Sequence, residues 1–269
     1  MIRWNSLCKK IIFLFIAGPL LWAGCGQSNR QTADEGIRFA GPKLDLLFVG
    51  NSYTYVNDLP QMFVQLALSG HHLATAEMIA PGGWTLAQHA NSKETLEKIA
   101  GKKWDDVILQ DQSVEPSMEK SRAEEMFPAV RYLNYAVRQA GARPLLYLTW
   151  GRQKGLAEEG FKDFDSMQAQ LTEGYMEIAK ELNLSVVPVG EAWKAVLAKD
   201  PGLNLWQGDG SHPTLEGTYL AACVFYASLY QKSPEGLEFP AGIPPAEARD
   251  LQTMAAQTVL TDRTRWNIP

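Results

Sequence analysis

The sequence predicts an α/β fold, a three-layer α/β/α sandwich around a five-stranded parallel sheet. Three observations predict it. From Lys43 onward, short apolar runs alternate with longer amphipathic ones, the rhythm of repeated β-α units. The short runs are continuously apolar rather than alternating, as strands covered on both faces must be. Gly70, Gly101 and Gly141 stand just past the ends of amphipathic runs, where helix C-caps fall.

Taken in chain order, the predicted strands are Leu44 to Val49, Ala76 to Ala80, Asp106 to Leu109, Pro144 to Thr149 and Ser185 to Val189. Between them the helical period covers 58–69, 85–100, 121–140 and 163–182. The third of these carries Met126, Val130, Leu133 and Val137 at three-to-four spacing, one buried stripe of a helix. Beyond the last strand come Glu191 to Lys199, an apolar helix from Pro213 to about Gln231, and Pro244 to Leu260. There is no internal repeat and no low-complexity segment. This order is that of flavodoxin-like sheets, in which ligands sit beyond the carboxyl ends of the strands. Residues that carry chemistry should therefore stand just after a strand.

Four segments meet that condition or stand apart from it for a reason. After the first strand comes Gly50-Asn51-Ser52-Tyr53-Thr54, where glycine permits a sharp turn and the following helix start leaves free N–H groups near the serine. Alone, such a serine is an ordinary N-cap. After the second comes Ala80-Pro81-Gly82-Gly83-Trp84, a glycine pair that brings backbone close to a ligand or simply turns into a helix; no Gly-Lys-Ser/Thr follows, so it is not a Walker phosphate loop. After the third comes Leu109-Gln110-Asp111-Gln112-Ser113, a polar cluster whose amides could donate into a pocket or form a surface turn. Near the C-terminus stands Gly208-Asp209-Gly210-Ser211-His212-Pro213. Asp209 and His212 are three apart, so the carboxylate can take the imidazole Nδ1–H and leave Nε2 facing a serine. Pro213 suits the first position of the next helix, placing His212 at its start. The other histidines, His71, His72 and His89, have no carboxylate similarly placed.

These segments, in this order, resemble the blocks of the SGNH (GDSL-like) hydrolase superfamily: a Gly-Asp-Ser or Gly-Asn-Ser after the first strand, a glycine after the second, a Gly-x-Asn-Asp after the third and an Asp-x-x-His near the end. The resemblance runs from Lys43 to the last helices. It implies Ser52 as nucleophile, His212 as general base and Asp209 as its orienting acid, with an oxyanion hole from the Ser52 N–H, the Gly83 N–H and a side chain of the third block. There the chain departs from the pattern: Gln112 falls on the asparagine slot, and Gln110 is a competing donor. The implied reaction is ester hydrolysis through an acyl-enzyme, with no metal or organic cofactor required. Trp84 and Trp150-Gly151-Arg152 follow strands two and four and are expected to line the site, where aromatic platforms suit acetylated carbohydrate. A lipase or thioesterase, a non-catalytic glycan-binding relative, and a nucleotide or flavin binder on the same sheet are the competing readings.

The N-terminus reads as an export signal. Arg3, Lys9 and Lys10 precede the apolar run Ile11 to Trp22, and Ala23-Gly24 lead into Cys25. Leu21-Trp22-Ala23-Gly24-Cys25 resembles a bacterial lipobox, with leucine one place earlier than usual. Residues 1–24 are thus expected to be removed, Cys25 lipidated, 25–42 to form a flexible tether, and 43–269 to form the hydrolase domain, anchored to the cell envelope and facing the periplasm or the cell surface. Loss of three basic residues moves the formal charge from −5 to −8, which argues against nucleic acid as a partner. The expected partners are a small-molecule or carbohydrate ester and the membrane. Cys223 lies in an apolar run with no cationic neighbour and reads as a core thiol rather than a nucleophile.

Overall fold

A computed structural model describes residues 39–269; the signal, Cys25 and most of the tether lie outside the described residues. Five strands form one all-parallel sheet in the order β2-β1-β3-β4-β5: β1 Leu44–Val49, β2 Ala74–Ile79, β3 Asp106–Leu109, β4 Arg143–Tyr147 and β5 Ser185–Val187. The helices are α1 Ser52–Tyr55, α2 Leu59–Ser69, α3 Leu86–Ala90, α4 Lys93–Ala100, α5 Glu119–Ser121, α6 Phe127–Gln139, α7 Phe164–Leu182, α8 Val189–Lys199, α9 Leu215–Tyr230 and α10 Pro245–Leu260. α2, α9 and α10 pack together on one face, and α3, α4, α6 and α7 on the other. The three-layer α/β/α architecture is the one the sequence predicts.

The central strands are apolar throughout because both faces are covered: β3 is wholly buried, and β1 is buried over its last four residues. β2 is an edge strand with Glu77 and Met78 exposed, so its apolar run marks its bounds poorly and it begins two residues earlier than expected. α9 is buried continuously from Gly217 to Leu229, which is why it is apolar all round. It lies against α2, α10 and β5. Cys223 lies fully buried within it, and burial pushes its thiol pKa up.

Two expectations are corrected. The helix expected over 85–100 breaks between α3 and α4, since Asn91 caps one end and Ser92 begins the next, its side chain accepting from Thr95 N. The helix expected over 121–140 contains a wide π turn over Arg122–Met126 just ahead of Pro128, whose ring cannot sit against an ordinary preceding turn. The three glycines do end their helices: Gly70 and Gly101 are the C-caps of α2 and α4, and Gly141 follows the Ala140 cap of α6 and alone of the three uses a left-handed conformation, φ +79°. Gly70 is needed for a different reason, since a Cβ there would lie 2.4 Å from the Tyr226 hydroxyl.

Strand register sets up the site. Val49 pairs with both Ile79 and Leu109, and Leu109 with Leu146. The segments that leave β1, β2, β3 and β4 therefore emerge level with one another along one edge of the sheet.

Candidate active site

Ser52 begins α1 directly beyond β1. The Asn51 side chain accepts from Tyr53 N at 3.1 Å and donates to Trp84 O at 2.8 Å. Asn51 thus caps the helix start and ties it to the loop after β2. Gly50 does not serve through a left-handed turn. A Cβ there would lie 2.4 Å from Gln110 Oε1 and 2.6 Å from Thr54 Oγ1, so glycine is needed for close approach. The Gly50 carbonyl accepts from His89 Nε2 at 2.8 Å, which fixes the tautomer and lets His89 Nδ1 accept from Thr95 Oγ1 at 3.0 Å. Burial lowers the His89 pKa, consistent with a neutral ring in this role.

His212 Nε2 lies 2.9 Å from Ser52 Oγ, and His212 Nδ1 donates to Asp209 Oδ2 at 2.5 Å. Asp209 Oδ1 accepts from the backbone N–H of Ser211 at 2.9 Å and of His212 at 3.0 Å. Burial acts to raise the Asp209 pKa, but the hydrogen bond from His212 and these two N–H groups outweigh it and hold the carboxyl at about 2. The three residues named from the sequence are thus brought together in one hydrogen-bonded chain.

His212 does not sit at a helix start. α9 begins at Leu215 with Thr214 as N-cap, and Pro213 instead pairs with Trp206 in a β-bridge. What holds the segment is longer-range. Gln207 N donates to His212 O at 2.7 Å, and Asn57 Nδ2 donates to Pro213 O and Thr214 O. Trp150 Nε1 donates to Ser211 O at 3.0 Å, and Tyr53 OH bonds Ser211 Oγ at 2.7 Å. Tyr53 stacks on Trp150, ring centroids 4.5 Å apart, and Trp150 stacks on Trp193 at 4.1 Å; the Tyr53 ring also meets His212 edge-on at 5.8 Å. Trp150 is therefore fully buried behind the site and is not the open platform expected of it. Trp84 does not line the cleft either.

The cleft above the serine has a volume of about 380 Å³, with Ser52, Tyr55, Gly83, Gln112, Arg152 and His212 among its lining residues. Ser52 is the first residue of its helix, a position whose N–H has no intrahelical acceptor. Gly83 has φ +74°, a left-handed backbone that glycine adopts at no steric cost. The two glutamines separate cleanly. Gln110 is fully buried and spent: its Oε1 accepts from Asn51 N and Thr54 Oγ1, each at 2.9 Å, and its Nε2 donates to Asn51 Oδ1 and Asp111 O. Gln112 lines the cleft, and its Oε1 accepts from Val114 N at 2.6 Å, which leaves the amide NH₂ as the end of the side chain not tied to that turn.

No protein-family model matches the sequence, and no curated protein matches it significantly. Solved structures do. A Slackia heliotrinireducens protein named as a candidate SGNH hydrolase is 28% identical over 70% of this chain and 100% of its own, with TM-score 0.60. The chain belongs to the SGNH (GDSL-like) superfamily. A DUF4886 family protein from Bacteroides uniformis shares the fold at TM-score 0.71, with 19% identity over 81% of this chain and 95% of that one. An acetylxylan esterase from Geobacillus stearothermophilus shares it at TM-score 0.54, with 18% identity over 71% and 94%.

Within the SGNH frame, the positions that motif reading missed are those that hold the motifs still: Tyr53, Asn57, His89 and Asp111. Three of the four have no local signal. Asn57 alone is hinted at, because its left-handed φ of 55° is one that asparagine tolerates better than most residues.

Proposed function

We propose that this protein is a serine esterase that cleaves a short acyl ester, with Ser52, His212 and Asp209 as its triad. The observation that carries the reading is the chain of contacts from Asp209 through His212 to Ser52 Oγ. His212 Nε2 takes the Ser52 proton as Oγ bonds to the ester carbonyl carbon. The carbonyl oxygen becomes an oxyanion, received by the N–H groups of Ser52 and Gly83 and by Gln112 Nε2. Collapse of the tetrahedral intermediate breaks the bond to the alcohol oxygen, which leaves with the proton now on His212. Water then repeats the cycle on the acyl-Ser52, releasing the acid and restoring the serine proton. Asp209 stays ionised throughout the neutral range and stabilises the transient imidazolium, which is why a pKa near 2 suits the role.

A cleft of about 380 Å³ lies at the small end of ligand sites, which favours a short acyl group such as acetyl. Likeness to an acetylxylan esterase supports carbohydrate as the alcohol. Tyr55, 43% exposed and at the cleft, takes the place of the tryptophans as the aromatic surface a sugar could meet. The protein is proposed to work outside the cytoplasm, held to the cell envelope by lipid on Cys25; an intact mass of the native chain without lipid there would remove that part.

Hydrolysis of p-nitrophenyl acetate, butyrate and octanoate, with fluorophosphonate labelling, tests the activity. The acetate is expected to be the best substrate and Ser52 to be the labelled residue. Ser52→Ala and His212→Ala should each lower kcat by about 10⁴-fold or more, since the triad acts as a unit. Wild-type turnover in a folded Ser52→Ala protein would refute the assignment.

A further inference from the structure

We infer that Arg152 is a specificity residue that binds a carboxylate on the alcohol portion of the ester, so that the preferred substrate is an O-acylated acid such as an acetylated uronic sugar. The inference rests on the esterase reading and names the substrate class of that site.

Arg152 follows β4, lines the cleft together with Ser52 and His212, and is half-buried. Its Nε is shielded from solvent yet has no hydrogen-bond partner, and among the described residues no carboxylate lies within ion-pair distance of its guanidinium. Four arginines of the fold are ion-paired, Arg122 with Glu173, Arg131 with Glu181, Arg143 with Asp106 and Arg265 with Glu191, and Arg138 and Arg263 are held by amide or carbonyl oxygens on the surface; Arg152 instead stands in the cleft with its Nε buried and unpartnered. A guanidinium has five donors and no way to shed its charge. Leaving it unpaired at a partly buried site is costly unless a ligand completes it.

The backbone around Arg152 is built to hold still. Gly151 N donates to Gln168 Oε1 at 2.9 Å, Gly151 O accepts from Trp206 Nε1 at 3.1 Å, Arg152 N contacts Met167 Sδ at 3.3 Å, and Gln153 N donates to Gly210 O at 2.9 Å. The last bond joins this loop to the segment that carries Asp209 and His212. Arg152 therefore stands on the His212 side of the cleft, whereas Gly83 comes from β2 at the far edge of the sheet. The leaving alcohol must face His212 to receive its proton, so the group that meets Arg152 belongs to the alcohol and not to the acyl chain. Arg152 is the one permanently charged residue in the lining, and no carboxylate is part of that lining. One guanidinium matches one planar monoanion bidentately, which favours a carboxylate over a phosphate dianion.

The test compares acetyl esters in matched pairs: 3- and 4-acetoxybenzoate and an acetylated methyl glucuronoside, each against its own carboxamide. In the wild type at least one pair is expected to show kcat/KM about ten- to a hundredfold higher for the carboxylate, the worth of a charge-assisted hydrogen bond, chiefly through KM and shrinking with added salt. In Arg152→Gln that ratio should fall below twofold. Because each ratio is taken on one preparation, it does not depend on the fraction folded. Equal rates across every pair, or a preference that survives Arg152→Gln, would overturn the assignment. If none of the six esters is hydrolysed, the esterase reading falls only when p-nitrophenyl acetate is untouched too. Arg152 is then judged by calorimetry on Ser52→Ala protein: methyl glucuronoside should bind at least tenfold more tightly than its carboxamide, and equal binding would end the inference.

Discussion

Replacing Asp111 with asparagine should make the protein more stable at pH 8 and leave it nearly unchanged at pH 4. The Asp111 carboxyl is 1% exposed. Its Oδ1 accepts from Leu86 N at 2.8 Å and Gln112 N at 2.7 Å, while Oδ2 has no partner. No cation answers the charge; burial is the main force pushing the pKa up to about 7, the bonds from Leu86 and Gln112 pull it down, and Glu115 and Glu125 push it up further. In the unfolded chain the same group titrates near 4. Between those values the folded protein holds a proton that the unfolded chain has already released. Its contribution to stability is therefore complete below about pH 4, declines as pH rises to about 7 and is level above that. The interval corresponds to about 4 kcal/mol at most.

Asp111→Asn keeps the Oδ1 acceptor and removes the titration. Urea denaturation of both proteins from pH 4 to 8 isolates the effect, because every other group is common to the pair. The expected gain is about 2–4 kcal/mol at pH 8, shrinking to within about 1 kcal/mol at pH 4. A difference that stays constant with pH would show that the carboxyl is not carrying a proton in the fold and would refute the reasoning. Asp111→Ala, which strips the acceptor from both Leu86 N and Gln112 N, should instead lose about 2 kcal/mol or more at pH 4, where the wild-type carboxyl holds its proton, and that deficit should shrink towards pH 8.

Gln112→Ala should lower kcat on p-nitrophenyl acetate by about 10²–10³-fold with KM little changed, as loss of one oxyanion donor does; a silent variant removes Gln112 from the hole. Gln112→Asn should also be impaired, because the shorter chain withdraws the amide. Asp209→Asn replaces an acceptor for the His212 Nδ1 proton by an amide that permits the wrong tautomer, and steady-state rates should fall by about 10⁴-fold, a loss under tenfold counting against the triad. Gln110→Glu substitutes an acceptor for the buried Nε2 that now donates to Asn51 Oδ1 and Asp111 O. Thermal unfolding should report a loss of about 3 kcal/mol or more, and an unchanged melting temperature would contradict the network.

The fold was legible because its central strands are buried on both faces. The apolar runs at β1 and β3 have sharp edges in the sequence for that reason, whereas the half-open edge strand β2, with Glu77 and Met78 exposed, does not. Helix ends were less legible where two caps stand side by side, as at Asn91 and Ser92, or where Pro128 forces a π turn. Within the site, Asp209 and His212 could be paired from spacing alone, since three residues is a contact any tight turn can make. Gln110 and Gln112 could not be told apart. Both leave the same strand end, and which amide is consumed depends on Asn51 and Thr54, 59 and 56 residues away.

The same distinction explains why a locally correct motif carried an incorrect account of what holds it. A helix start at Pro213 would have made His212 a local feature, settled by its own turn. The segment is instead fastened from outside, by Asn57, by the Trp150 indole and by Tyr53, whose hydroxyl meets Ser211. Tyr53 is also the residue after Ser52, so the side chain that steadies the histidine segment is carried by the helix that presents the serine. Their separation is then set by one rigid stack, Tyr53 on Trp150 on Trp193, rather than by two loops moving independently. A buried tryptophan that cannot touch substrate thus belongs to the chemistry: truncating Trp150 would free both partners of the 2.9 Å contact at once.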